Sequence, residues 1–438
     1  MMEGANESPV GEKGLSARLR RLHRWLWWWH FWPGILLAPV IVLASVTGAL
    51  YVWKGEAEGW LYRHEMKVDP GAERVSLDRM AASVSEAVPG DLFSIEWSGE
   101  KSQPAKAYVR EKGSGRTVLV WIQPFTGDVT GWRHRDEMLF SQIRDLHRFL
   151  WSGRLLGNVL PGRLLVEAAT SWTILLTLSG VLLWWNGSRA RPRQWKLLQR
   201  ARPYILWRNW HSVPAVWLSV PLVLILVTGL AFSKGAGSLW TGAGALSGTF
   251  PEAYVDHPTV SPDTRWLPYE TLLRKASKES DPQAFSLILY GESERVPLVL
   301  RGDYETRPWE LRARWLRPDS GEILSETSWA AMHPYAKGYI ASYSVHVGWI
   351  GGFWTKLLAT FLCLLLVFLV FSGLAMWWIR RPSGKSGFPK RTRTALPWWL
   401  VTGNAAMGIL LPTIGLSLLL VFLGGLCLPA RKPPRRVP

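Results

Sequence analysis

The stretch His30–Leu50, HFWPGILLAPVIVLASVTGAL, and its later counterpart His211–Leu230, HSVPAVWLSVPLVLILVTGL, decide the fold. Each opens on a histidine, runs through apolar residues and reaches a Thr-Gly pair 17 residues after that histidine, at Thr47-Gly48 and Thr228-Gly229. A helix of about 20 such residues crosses the hydrocarbon of a bilayer. With three more apolar runs, the chain reads as five membrane segments: 30–53, 160–185, 211–234, 353–379 and 397–428. The 438 residues are 48% hydrophobic and include 29 Trp, a balance unlike that of a soluble multidomain, fibrous or disordered protein. The two cysteines, Cys363 and Cys427, both fall inside apolar runs, so they read as packing residues and not as a disulfide or metal pair.

The net charge of +18 sits in short segments that flank these runs. Residues 1–29 hold five Lys/Arg against three Glu; 186–208, 380–394 and 429–438 hold seven, six and four basic residues and no acid. Lys and Arg accumulate on the cytoplasmic side of membrane helices. The N-terminus (1–29) and the loops 186–210 and 380–396 therefore read as cytoplasmic, and segments 54–159 and 235–352 as lying on the opposite side. The same distribution argues against nucleic acid as the partner, because the charge follows the spans and forms no basic patch on a soluble domain. The first apolar run is long and has no cleavage signature, so it reads as a retained span. The last run leaves two options open: it crosses once, or Pro412 splits it into a hairpin that returns the basic tail 429–438 to the cytoplasm.

The features recur in order, as an internal duplication would leave them. Pro124-x-Thr126-Gly127-Asp128-Val129 is matched by Pro318-x-Ser320-Gly321-Glu322-Ile323, each a turn after a strand. His147 precedes the second span and His346 the fourth. Ser179-Gly180-x-x-x-Trp184-Trp185 ends the second span and Ser372-Gly373-x-x-x-Trp377-Trp378 the fourth. The expected fold is an α-helical integral membrane protein with two small α+β domains across the membrane, span–domain–span twice, plus a C-terminal hydrophobic segment. Helices are expected at 77–87 and 269–277. Strands are expected at 93–97, 105–110, 117–122, 284–290, 296–301 and 311–316, from alternation and turn residues. The Gly-rich stretch 235–248 matches no phosphate-binding loop and reads as a connector or lid.

Four histidines carry the chemistry. If the two copies pack about a pseudo-twofold axis, His30 faces His211 near the cytoplasmic surface and His147 faces His346 near the other. Facing imidazoles in a helical bundle make axial haem ligands, so two haem b groups are expected. His23, two turns before His30, is a rival ligand. His64, His134, His257 and His333 have no repeat partner and read as surface residues, although His333 or His134 could touch a substrate. The tryptophans at span ends read mostly as interfacial belts. Glu167 lies inside a span, where an ionisable group is a functional candidate; it either pairs with Arg163 one turn away or serves a haem propionate or a proton path.

These motifs resemble the PepSY-associated transmembrane family, also called iron-regulated membrane proteins. The resemblance is carried by His30-x-Trp32-x-Gly34 with Thr47–Leu50, Leu146–Arg148, His346-x-Gly348-x-x-Gly351-Gly352 and the two S-G-x-x-x-W-W ends, over about residues 20–425. It implies that the outer segments are periplasmic PepSY-like domains. It further implies a bacterial inner-membrane protein of siderophore iron acquisition, some relatives being haem-containing ferric-siderophore reductases. The expected function is electron transfer from a cytoplasmic or quinol donor to a ferric siderophore in the periplasm, releasing Fe(II). Two alternatives stand beside it: a non-catalytic protein whose PepSY domains bind or restrain a periplasmic peptidase, and an iron-siderophore permease, for which Pro39 and Pro221 mark candidate helix breaks.

Overall fold

The computed structural model describes residues 10–69, 71–187, 195–251, 258–261, 264–289, 296–385, 387–388 and 398–427. Its helices are α1 (Val10–Leu36), α2 (Ala38–Val52), α3 (Lys54–Leu61), α4 (Leu77–Ala87), α5 (Leu139–Phe149), α6 (Ser152–Leu156), α7 (Leu160–Gly187), α8 (Pro203–Trp217), α9 (Ser219–Leu230), α10 (Ala236–Leu246), α11 (Tyr269–Lys275), α12 (Pro334–His346), α13 (Phe353–Arg380), α14 (Trp398–Leu410) and α15 (Pro412–Cys427). The strands are β1 (Gly90–Trp97), β2 (Ala105–Glu111), β3 (Thr117–Ile122), β4 (Val129–His134), β5 (Phe285–Ile288), β6 (Leu298–Arg301), β7 (Arg312–Leu316) and β8 (Ile323–Ser328). The chain forms a helical unit (Met1–Val46, Ser152–Leu239, Leu362–Pro438) and a sheet unit (Thr47–Trp151, Trp240–Phe361).

In the helical unit, α7 packs against α1, α8, α9 and α15. Trp29 of α1 stacks on Trp172 of α7 at 5.4 Å, and the Trp172 indole N–H donates to Ser417 of α15 at 3.1 Å. Leu178, Leu182, Leu224, Leu364 and Phe371 stay exposed, as side chains solvated by lipid would. Stretches Leu160–Trp185 and Phe353–Arg380 are long and apolar enough to cross a membrane unbroken. The runs at 30–53 and 211–234 are not single straight helices: each belongs to a bent pair of helices, at 65° for Leu22–Leu36 with Ala38–Val52 and 66° for Pro203–Trp217 with Ser219–Leu230. Proline is the cause. Pro33 and Pro39, and Pro214 and Pro221, lack the N–H that would bond one turn back, so the ladder opens between them. The surviving bonds match: Leu37 N–H to Pro33 and Ile41 to Leu37 in one, Leu218 to Pro214 and Leu222 to Leu218 in the other. The C-terminal run is two short helices folded back at Leu411-Pro412, where a Cβ on Gly408 would stand only 2.9 Å from Gly415 Cα.

In the sheet unit the eight strands form one antiparallel sheet in the order β4-β3-β2-β1-β5-β6-β7-β8. The expected pair of separate domains is corrected on this point, because β1 pairs with β5 from Ser94↔Ile288 to Trp97↔Phe285 and joins the two halves edge to edge. Helices α4 and α11 cover one face. Leu77, Met80, Ala81 and Val84 recur at helical spacing and bury against Ile95, Ala107, Val120 and Leu287, each large side chain contributing about 1.5–3 kcal/mol. The two helices cap each other: Glu270 accepts the Leu77 N–H at 2.9 Å, and Asp78 accepts the Tyr269 and Glu270 N–H groups at 2.8 and 3.1 Å. The P-x-[TS]-G-[DE]-[VI] motifs form the β3–β4 and β7–β8 turns, with Gly127 at φ +81° and Gly321 at φ +71°, a conformation that favours glycine. The Gly-rich stretch read as a connector is α10 over Ala236–Leu246.

Candidate cofactor sites

His30 lies in α1 three residues before Pro33, and His211 in α8 three residues before Pro214. Their rings stand 6.2 Å apart, centroid to centroid, at 82°. His30 Nδ1 meets Ser179 Oγ at 3.0 Å, and His211 Nδ1 meets Ser372 Oγ at 2.9 Å. Each serine is the Ser of a recurring Ser-Gly pair, and each hydroxyl donates to the carbonyl three residues back, Leu176 or Leu369, at 3.1 Å. With its proton spent there, the serine oxygen accepts from the imidazole. Both histidines therefore carry their proton on Nδ1 and keep the Nε2 lone pair free. Gly180 and Gly373 leave room beside the rings: a Cβ on Gly180 would stand 3.2 Å from His30 Cε1, and one on Gly373 would stand 3.8 Å from His211 Cε1.

His147 and His346 form a second pair within the sheet unit, 6.1 Å apart at 51°. They stand on the short helices α5 and α12, not on span ends. Thr47 Oγ1 meets His147 Nδ1 at 3.1 Å. Two imidazoles on opposite faces of one iron, each bonded at about 2 Å, would have ring centroids about 6 Å apart. Both pairs fit that spacing. Among the described residues no three His, Cys, Asp or Glu side chains converge as a metal site. Two imidazoles alone would hold a metal that brings its remaining ligands with it, as the iron of a haem does.

The remaining candidates separate clearly. His23, His64 and His333 are exposed, and His333 caps α12 by accepting the Tyr335 N–H at 3.1 Å. His134 lies in β4 beside Trp132, and His257 lies outside the described residues. Glu167 is 2% exposed and accepts the Gly235 and Ala236 N–H groups at 2.8 and 2.9 Å, capping α10, while Arg163 turns to the Phe232 carbonyl at 3.1 Å and not to Glu167. Gly235 is required there, since a Cβ would fall 2.5 Å from Glu167 Oε1. The bracing roles of Ser179, Ser372 and Thr47 escaped the sequence reading. Their signal was present, because the Ser-Gly and Thr-Gly pairs recur, but recurrence alone does not say what a hydroxyl holds.

A model of the PepSY-associated TM region matches residues 27–380. The chain belongs to the PepSY-associated transmembrane family. All four paired histidines and the three hydroxyls that brace them fall within the matched PepSY-associated region, whereas α14 and α15 lie beyond it. No curated protein matches the chain.

Proposed function

We propose that this PepSY-associated membrane protein is an inner-membrane reductase that carries electrons from the cytoplasmic side to the periplasm and reduces Fe(III) bound to a siderophore. The observation that carries this reading is the pair of facing imidazole sets at 6.2 and 6.1 Å. His30 and His211 would hold one haem b, and His147 and His346 a second. Bound there, each group would supply a one-electron couple. The chain's own part is to fix the imidazoles: Ser179 and Ser372 accept from Nδ1–H, which orients the ring and raises the basicity of Nε2, and Thr47 holds the His147 ring at Nδ1. Reduction suits release, because hard oxygen chelators hold Fe(III) far more tightly than Fe(II).

On this reading the N-terminus is cytoplasmic, the sheet unit is periplasmic, and the matched halves of the chain descend from an internal duplication. The equivalent register shifts at Trp121/Ile122 and Trp315/Leu316 support the duplication. The electron donor is a quinol or a cytoplasmic reductase. The test is an absorption spectrum of purified protein with haem quantified. Two bis-imidazole haems per chain are expected, and His346→Ala should lose one and keep the other. A preparation that shows no Soret band and binds no added haem overturns the reading.

One observation favours a second reading, a permease for the iron chelate: both halves carry a helix break, at Leu37 and Leu218. Uptake of radiolabelled iron chelate into proteoliposomes without any reductant would support it.

A further inference from the structure

In each Ser-Gly-x-x-x-Trp-Trp motif the serine holds a histidine and the glycine makes room beside its ring. On α13 the same face continues past the glycine. Trp377 stands four residues after Gly373 and Arg380 seven, so the three share one side of the helix, at about 6 and 10 Å from Gly373 along the axis. On α8, Tyr204 stands seven residues before His211, again on one face. The two helices meet at both levels. Ser372 holds His211 Nδ1 at 2.9 Å; two turns away, Arg380 donates to the Tyr204 hydroxyl at 3.2 Å, its guanidinium 5.0 Å over the phenol ring. Trp377 lies between these levels on α13.

Two donors on this face lack the partner their chemistry calls for. The Trp377 indole nitrogen is enclosed by protein and has no acceptor among the described residues. Phe388 stacks on that indole at 5.5 Å and 12°, which covers a ring face and leaves the in-plane N–H unpaired. Arg380 meets a neutral phenol and no carboxylate among the described residues. Neither helix nor the chain adjoining it can supply one, because residues 168–251 and 327–438 contain no Asp or Glu.

A buried N–H without an acceptor is costly, and a guanidinium matches the two oxygens of a carboxylate. Both donors therefore call for an anion from outside the chain. Their position decides which one. The face starts at the His211 ring, where a Cβ on Gly373 would stand 3.8 Å from Cε1, and descends one and two turns from it. A ligand that spans this face joins a metal centre, bound by the imidazole, to carboxylates at its rim. Haem has that form, with its carboxylate side chains together on one edge of the macrocycle.

We propose that Trp377 and Arg380 bind the carboxylate edge of the haem held by His30 and His211, so that this edge points toward the C-terminal end of α13. The inference rests on the haem-binding part of the reading above. The other copy of the motif supplies a contrast. Trp184 follows Gly180 as Trp377 follows Gly373, but the residue seven after Gly180 is Gly187, which carries no charge. The carboxylates are therefore held from the α13 side. Arg380 then does more than orient the group: reduction adds an electron, and a cation nearby stabilises the added charge.

The test uses the full chain carrying His346→Ala, which on the reading above keeps this haem alone. Its apo form is titrated with haem and with haem dimethyl ester, whose edge has no charge. The free acid should bind about tenfold tighter or more. Trp377→Phe and Arg380→Gln should each cut that preference at least about threefold, with Arg380→Lys restoring part of it. Trp378→Phe removes an exposed indole from a different face and should leave the preference unchanged. With His346 intact, Arg380→Gln should lower the midpoint potential of one haem and not of the other. Equal affinity for acid and ester, a preference that survives both substitutions (as it would if these donors served a lipid phosphate), or an unshifted potential overturns the proposal. A chain that binds neither haem nor its ester overturns the haem reading, and this inference with it.

Discussion

The two histidine pairs share a spacing and differ in almost everything around it. His30 and His211 sit in long helices, their rings nearly perpendicular at 82°, braced by two serines whose own protons are tied to helix carbonyls. His147 and His346 sit on short helices of the sheet unit, at 51°, with a threonine brace and two hydrogen-bonded phenols, Tyr343 and Tyr51, one turn from His346 and Thr47. Among the described residues the first environment offers serine hydroxyls and no acid partner, which on the proposed reading would suit handing on an electron. The second offers groups that can move a proton, and it suits delivery to a substrate. On the proposed reading, equal imidazole spacing with unequal proton chemistry would let one site type serve both ends of a relay.

The largest expected effect tests the pairing itself. His211→Ala and His30→Ala should each abolish the same haem, and His147→Ala and His346→Ala the other, so that one equivalent survives in every single variant. Haem quantified per chain, with low-temperature spectra to tell the two apart, checks this. Loss of both groups in one single variant would break the comparison. Next come the braces. Ser179→Ala or Ser372→Ala should weaken haem affinity about 10–100-fold at the His30–His211 pair only, and Thr47→Val by a similar factor at the other. Titration of the apo form with haem measures both.

How much of this was legible depended on which force marked the sequence. The histidines were readable because they stand at fixed spacing from recurring Thr-Gly and Ser-Gly pairs. Strands β2 and β5 were readable because burial on one face imposes alternation, and β1, β3, β6 and β7 because runs of β-branched, aliphatic and aromatic residues stand between turn residues; edge strands β4 and β8 bury little and leave no such pattern. The β1–β5 joint was hidden because it links segments about 190 residues apart through backbone hydrogen bonds, which no side chain advertises. Helix α10 was hidden by its glycines, and its start depends on a distant cap, Glu167. Pro39 and Pro221 did mark the breaks, but bend angle is decided by packing.

Acid should separate the pairs by a smaller margin. Arg314, 1% exposed, ties Asp281 and Glu326 into the sheet unit. Burial alone would raise the Asp281 pKa, yet the Arg314 hydrogen bond and charge outweigh it and hold it below the ordinary value. The Lys278 hydrogen bond is the main cause that holds Glu326 low. A carboxyl depressed on folding contributes stability above its ordinary pKa, and that contribution is lost as pH falls through the folded value. Below about pH 4 the sheet unit should loosen, and the haem of His147–His346 should be released while that of His30–His211 persists. Spectra recorded during acid titration check the order of release.

The smallest effect concerns the backbone that follows each histidine of the second pair. After His346 the chain turns at Gly348, φ +72°, at no steric cost; after His147 it turns at Leu150 and Trp151, φ +50° and +54°, where a side chain is strained. Left-handed backbone costs a non-glycine residue roughly 1–2 kcal/mol, and glycine costs about 0.5–1 kcal/mol of extra unfolded-state entropy. Leu150→Gly should therefore stabilise the fold by of order 0.5 kcal/mol. The same change frees the end of α5, which holds the His147 ring. If the strain serves to fix that imidazole, the variant should unfold at a slightly higher temperature yet broaden the haem spectrum of this pair alone. A sharper spectrum, or a change at the His30–His211 haem, would mean that the strained turn has no part in positioning His147.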